Sequence, residues 1–314
     1  MGRLAYLYHP LFEAHDPGAG HPESPQRLRN IQEHLDKSGL WDRLSRFEPP
    51  PASREVIGQV HSAAYISFIL SRRGAEHQIL DDGDTVINAH SVDAALLAAG
   101  AVVYAADLIF KDDYDKVFCA VRPPGHHAEN DRAMGFCIFN NVAIGARYAR
   151  DRYGIKNIMI IDWDLHHGNG TQHIFYDDPG VLYISLHQFP YYPGTGRSSE
   201  TGDGEGTGYT INLPLAPGSD DSAYTSALEQ GLARAEQIMQ PGLLIISAGF
   251  DAHQSDPLGA MQVSAEGFYK MTELVCRFAQ KHCQGRVISV LEGGYSHPGL
   301  AESVLRHLQC FLKH

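Results

Sequence analysis

Short apolar runs that stop abruptly at polar, glycine-rich clusters recur along this chain. Val117–Val121 runs into RPPGHHAEN, Asn157–Ile161 into DWDLHHGNG, Val181–Leu186 into HQFPYYPGTG, Leu243–Ser247 into AGFDAH and Val287–Leu291 into EGGYS. Each run is rich in β-branched residues and has the length of a buried strand. Between them, Ser91–Phe110, Asn140–Arg150, Ser222–Met239 and Ser264–Lys281 place apolar residues every three or four positions, the spacing of a helix with one packed face. Alternating strands and helices predict an α/β fold with a mostly parallel central sheet and helices on both faces. Ligands in such sheets gather beyond the carboxyl ends of the strands. Every polar cluster follows a predicted strand, so five segments are expected to converge on one site.

Composition narrows this picture. No Pro/Ser-rich linker, charge block or repeat divides the 314 residues, which are read as one domain, 1–314. Hydrophobic residues (43%) and charged residues (20%) are spread along the chain, which excludes a disordered or collagen-like protein. With 25 basic against 37 acidic residues the net charge is −12, which argues against binding a nucleic-acid backbone and favours cationic or neutral substrates. Five cysteines, odd in number and without a CxxC pair, indicate neither a disulfide framework nor a cysteine zinc site, so a reducing compartment is expected. No apolar core follows a basic start, and no stretch approaches about 20 uninterrupted apolar residues; the expectation is a soluble cytoplasmic protein with no membrane span. The 18 histidines matter more, since imidazole ligates metals and titrates near neutrality.

In IIDWDLHHGNG, Asp162, Asp164 and His166 are spaced by two, so a strand continuing in extended form would project them to one face. Three buried polar side chains need partners or a cation. IISAGFDAH delivers Asp251 after Gly249, a residue that lets the backbone turn sharply. Asp164, His166 and Asp251 would give three N/O ligands with a position left open, the arrangement of a catalytic zinc; ferrous iron and manganese also suit two carboxylates and an imidazole. A single aspartate after a strand is more often a helix cap or turn residue, and Asp162 is better read as a group that orients a histidine. The tandem His126 and His127 sit on a stiff Pro-Pro-Gly turn and are candidates for acid–base work, with Asp162 and Asn169 available to fix their tautomers. Tyr295, after two glycines, can offer its hydroxyl to a developing oxyanion; the plain alternative is a packing tyrosine near a turn.

These segments, with HPESPQRL, DTVINAHSVDAALLAAG, MGFCIFNN and SDPLGAMQVSAEGFYKMT, resemble the zinc-dependent histone deacetylase superfamily, which includes acetoin-utilisation proteins and acetylpolyamine amidohydrolases. The resemblance spans nearly the whole chain and implies an arginase-like α/β fold with a single central parallel sheet. It places the metal ligands on Asp164, His166 and Asp251, the paired histidines on His126 and His127 with the second as general base and acid, the transition-state tyrosine on Tyr295, and the supporting carboxylate on Asp162. Asn169 stands where some members carry Asp and is similar to the class II branch; a neutral amide stabilises an imidazolium less. Gly135 and Phe136 match one wall of an acyl-lysine tunnel, and Tyr192, where Phe is usual, matches the other. A structural monovalent cation, usually potassium, would draw on Asp162, Ser185 and the carbonyls of Asp164, His166 and Leu186. Arg27 resembles the arginine near an acetate-release channel, and Asp84 the rim carboxylate that holds the substrate backbone. Leu258 occupies the gatekeeper place where polyamine-specific relatives carry an acidic residue. What the resemblance implies is a zinc amidohydrolase removing acetyl or another small acyl group from lysine side chains of proteins or peptides. Its rivals are an acetylpolyamine deacetylase and a catalytically silent acyl-lysine-binding module; the latter would lack a ligand, a histidine or the tyrosine.

Overall fold

A computed structural model describes residues 3–81, 83–111 and 114–314. Its strands are β1 (Leu4–Leu7), β2 (Ser45–Phe47), β3 (Gln78–Ile79), β4 (Val86–Ile87), β5 (Lys116–Cys119), β6 (Ile158–Asp162), β7 (Val181–Gln188), β8 (Thr210–Leu215), β9 (Leu243–Ala248) and β10 (Val287–Leu291). The α-helices are α1 (Leu11–Ala14), α2 (Gln26–Lys37), α3 (Arg54–Ile57), α4 (Ala63–Leu70), α5 (Ser91–Lys111), α6 (Asn141–Tyr153), α7 (Asn169–Ile174), α8 (Asp221–Ile238), α9 (Ala265–His282) and α10 (His297–Lys313).

Eight strands form one sheet in the order β2-β1-β5-β10-β9-β6-β7-β8, with every neighbouring pair parallel. The five runs predicted to be buried strands are its five central members, and each is buried along its whole length. Apolar runs on both faces need helices on both faces. Helix α5 packs on α6 and β5, while α10 packs on α2 and α9, and α8 on α9. The last two strands of the chain, β9 and β10, insert between β5 and β6. That insertion sets the loops after β5, β10, β9 and β6 side by side along one edge of the sheet, as expected for a ligand site in a parallel sheet.

Three sheet strands, β1, β2 and β8, lie outside the predicted set. They are the short or outer strands: β2 has three residues, and β8 (TINLPL) carries a proline that an edge strand tolerates. Helix α5, at 21 residues, is long and apolar enough to cross a membrane by length and composition, but 78% of its 18-residue apolar window is buried inside the protein. Its alanine-rich sequence is apolar on every side, as a core helix requires. All five cysteines are free and buried.

Candidate active site

Five loops at the carboxyl edge of the sheet carry the groups singled out from sequence. After β5, the turn holding His126 and His127 is fixed from below by Glu292, whose carboxylate accepts from the backbone N–H of Gly125 (2.6 Å) and His126 (3.2 Å). The two imidazoles lie with ring centroids 4.0 Å apart and their planes tilted by 42°. His126 Nδ1 meets Asp162 Oδ2 at 3.1 Å and His127 Nδ1 meets Asn169 Oδ1 at 2.7 Å, so each ring has the partner expected for it. The Asn169 amide nitrogen donates to Glu129 Oε1 at 2.8 Å. A carboxylate can only accept, so the amide oxygen must face His127. His127 therefore carries its proton on Nδ1 and presents the Nε2 lone pair.

The metal-ligand candidates also come together, by a route different from the one predicted. Strand β6 ends at Asp162, and the chain bends through Asp164 and His166 in place of continuing extended. The bend is held by Asp162 Oδ1, which accepts from Asp164 N–H at 3.1 Å, and by Asp164 Oδ1, which accepts from His166 N–H at 2.9 Å. His166 Nδ1 then lies 3.1 Å from both Asp164 Oδ1 and Asp251 Oδ2. One ring nitrogen facing two buried carboxylates leaves lone pairs converging on a point, a set that fits a cation. One donor atom from each of Asp164, His166 and Asp251 lies within 4.8 Å of the others. The role assigned to Gly249 also changes. Its backbone φ is not left-handed; the need is space, since a Cβ there would fall 2.1 Å from Asp164 Oδ2.

Burial and charge set the protonation of these groups. Burial depresses the His126 imidazole, but Asp164 and Asp162 outweigh it and push it up to about 10. His127 goes well below its usual value, because burial is reinforced by the neighbouring His126 and His166. Burial and the adjacent Asp164 charge raise the Asp251 carboxyl. Burial holds the Tyr295 phenol well above its ordinary range, so it remains a donor.

A cavity of about 270 Å³ opens onto this constellation. Gly135, Phe136, Tyr192, Leu258 and Asp84, the residues assigned to substrate, all line it, with His127, His166, Tyr295 and Tyr191. The Tyr295 backbone N–H donates to Asp256 Oδ2 at 2.7 Å, and its ring lies 5.9 Å from that of Phe136 and 5.1 Å from the Arg27 guanidinium. Arg27 is fully buried and donates to the carbonyls of Glu292 (2.5 Å) and Gly294 (2.7 Å), gripping the turn that carries Tyr295. Asp162 and Ser185 are register partners across β6 and β7; the Ser185 hydroxyl pairs with His187 Nδ1 at 2.9 Å, and Leu186 follows in the same buried strand.

Several supports escaped the sequence reading: Glu292, Glu129, Asp256, Tyr191 and Tyr183, whose hydroxyl donates to Asp162 Oδ2 at 3.0 Å. Glu292 and Asp256 lie within the motifs LEGGYS and SDPLG, a positional hint only. Cys137, His126 and Glu292 form a second close group of potential ligands. There Glu292 already accepts two backbone N–H groups, and the Cys137 thiol donates to the Gly135 carbonyl at 3.3 Å, so the group braces the histidine turn.

Comparison with known proteins agrees with this fold. Residues 21–311 match the histone deacetylase domain family. A probable deacetylase of Archaeoglobus fulgidus is 39% identical over 297 residues, covering 93% of this chain and 81% of its own. A histone deacetylase-like amidohydrolase of Pseudomonas aeruginosa is 40% identical over 281 residues (88% and 73%), and the human polyamine deacetylase HDAC10 is 38% identical over 301 (92% and 44%). The crystal structure of the HDA15 HD domain superposes with a TM-score of 0.93 at 35% identity, covering 99% of this chain and 91% of that one. With the eight-stranded sheet and the carboxyl-edge site in place, this chain belongs to the histone deacetylase family of amidohydrolases.

Proposed function

We propose that this protein is a zinc-dependent deacylase that removes acetyl, or another small acyl group, from lysine side chains of proteins or peptides. The observation that carries the reading is a cavity lined by Phe136 and Tyr192 that also reaches His127, His166 and Tyr295. Such a lining suits an uncharged aliphatic stem, and the groups it reaches suit an amide. Asp164, His166 and Asp251 would hold the divalent ion, with zinc ahead of ferrous iron and manganese. Bound there, the ion supplies Lewis-acid polarisation of the acyl carbonyl and acidifies water. Asp162, Ser185 and the carbonyls of Asp164, His166 and Leu186 would hold a structural potassium.

His127 takes the proton of the attacking water on Nε2, while Asn169 keeps Nδ1 protonated and the ring aligned. Tyr295 donates its hydroxyl proton in a hydrogen bond to the oxyanion that forms as water adds. The proton on His127 Nε2 then passes to the departing lysine nitrogen, and the products are an amine and a carboxylic acid whose remaining proton moves to the amine, giving an ammonium and a carboxylate. Asp162 orients His126 beside this pair. The silent-module reading is disfavoured because the ligand set, both histidines and the tyrosine are all in the chain.

Two hollows continue from the mouth and favour a polymeric substrate. One of about 530 Å³ shares Asp84 and Tyr192 with the cavity, and another of about 800 Å³ shares Leu258 and Tyr295. They leave room for chain on either side of an inserted lysine. An acetylated polyamine is the second reading, favoured by Asp81 and Asp84 near the mouth, whose carboxylates can attract a distal ammonium. The test is kcat/KM of the zinc-loaded protein on acyl-lysine peptides and on acetylated putrescine. Peptide preference is expected; strong preference for the polyamine overturns the substrate, and hydrolysis of neither overturns the reading.

A further inference from the structure

Tyr295 follows two glycines, and a turn of that kind has little stiffness of its own. Gly294 sits at a φ of +121°, a conformation that other residues rarely adopt. The turn is held from other segments instead. On its carbonyl side Arg27 donates to Glu292 and Gly294. On its N–H side Asp256 Oδ2 accepts from Tyr295 at 2.7 Å and from Ser296 at 3.1 Å. Ser296 caps α10, so the carboxylate also lies at the positive end of a 17-residue helix.

The other oxygen of Asp256 holds a different segment. Oδ1 accepts from the Leu258 N–H at 3.0 Å, and the Leu258 carbonyl accepts from Tyr191 Oη at 2.8 Å. Leu258 lines the cavity together with Tyr295. Asp256 is only 7% exposed, so its loss leaves buried N–H groups that water replaces poorly. One side chain thus joins the turn that carries the oxyanion donor to a segment of the cavity lining. The two holds can be separated. An amide offers one acceptor oxygen and one NH2. In Asp256→Asn the oxygen satisfies two N–H groups when it faces Tyr295 and Ser296, and one when it faces Leu258, so the first orientation wins. The NH2 then meets the Leu258 N–H, donor against donor, and that bond alone is lost. Asp256→Ala removes all three.

We propose that Asp256 is a positioning residue that sets the Tyr295 turn through Oδ2 and the Leu258 segment through Oδ1. The proposal rests on the deacylase reading. Amide hydrogen exchange by NMR on the metal-free proteins reads the three bonds directly. In Asp256→Asn, exchange should quicken about tenfold at Leu258 and stay within about twofold at Tyr295 and Ser296. In Asp256→Ala it should quicken about tenfold at all three. Kinetics of the zinc-loaded proteins on an acetyl-lysine peptide should follow the same division, with metal content unchanged. Asp256→Asn raises KM and keeps kcat within about threefold, whereas Asp256→Ala also lowers kcat, by about 100-fold, because the hydroxyl is misplaced. Introduced into Tyr295→Phe, Asp256→Ala should lower kcat by less than about threefold, since no hydroxyl is left to misplace. Asp256→Asn decides by itself where Asp256→Ala does not fold. Exchange in Asp256→Asn that is unchanged at Leu258, or that quickens equally at Tyr295, overturns the proposal and leaves the deacylase reading standing. So does an equal fall in kcat with and without the Tyr295 hydroxyl. Wild-type protein that leaves the peptide intact overturns the deacylase reading and takes the proposal with it.

Discussion

Tyr295 and His127 show how single residues acquire chemical roles from what surrounds them. Tyr295 is a phenol kept neutral by burial and anchored through its backbone to Asp256, so its hydroxyl can point at an oxyanion without itself ionising. Tyr295→Phe removes only that oxygen. Loss of one oxyanion donor typically costs about 100- to 1000-fold in turnover, and that is the expected fall in kcat. Elemental analysis should show unchanged metal content, because the ligand set is untouched; wild-type turnover would remove Tyr295 from the mechanism. His127 depends on Glu129, which fixes the Asn169 amide by accepting from its nitrogen. The candidate ligands were legible in sequence because DWDLHH and FDAH are unusual strings. Glu129 was not, since a glutamate 40 residues from its partner reads like any solvated loop acid.

Among the elements, the central strands were legible and their exact ends nearly so. Apolar runs predicted at 157–161 and 243–247 appear as Ile158–Asp162 and Leu243–Ala248. The outer strands were not, because β2 at three residues carries too little periodicity to separate from loop. The turn after β10 was seen only as freedom for Tyr295, yet Gly293 has a tighter constraint. A Cβ there would lie 2.3 Å from Asp251 Oδ2 and 2.6 Å from Asp164 Oδ2, while its own N–H donates to Asp164 Oδ2 at 2.9 Å. Gly293→Ala is therefore expected to spread the two carboxylates and abolish metal binding, with the helix content by circular dichroism unchanged. The loop between β3 and β4 makes a different prediction. Burial and the neighbouring Asp81 push the Asp84 carboxyl up to about 6. Asp84 is then charged above that pH and neutral below it, so if it holds substrate N–H groups, KM should rise as pH falls through about 6. Asp84→Asn should have a high KM that no longer varies over this range, and an unchanged inflection would assign it elsewhere.

At the scale of the whole molecule, one buried ion cluster joins segments that the sheet alone leaves apart. Glu23, fully buried, accepts from Arg122 Nη2 at 2.8 Å and Arg27 Nη1 at 3.1 Å, and lies 3.3 Å from His15 Nε2. Arg122 also donates to the carbonyls of Phe12 (2.6 Å) and His15 (2.9 Å), and it directly precedes the histidine turn. Arg27 grips the turn that carries Tyr295. The N-terminal segment thus ties together the loops after β5 and β10. Neither periodicity nor local motif could display this, because partners 99 residues apart meet only in the fold. Glu23→Gln keeps the shape but leaves two buried guanidinium groups without their counter-charge. Breaking a buried pair on one side typically costs about 3–5 kcal/mol, and urea unfolding should show a loss of that size. The pH dependence has a definite sign. Burial opposes ionisation of Glu23, but Arg122, His15 and Arg27 outweigh it and hold the carboxyl well below its ordinary value. A depressed carboxyl contributes stability that is fully present above the unfolded-state pKa, about 4.3, and is lost as pH falls toward the folded value. Wild type should therefore lose stability on acidification below about pH 4, and Glu23→Gln should lose less over the same interval. Parallel acid profiles for the two proteins would show that the cluster is not where the acid sensitivity resides.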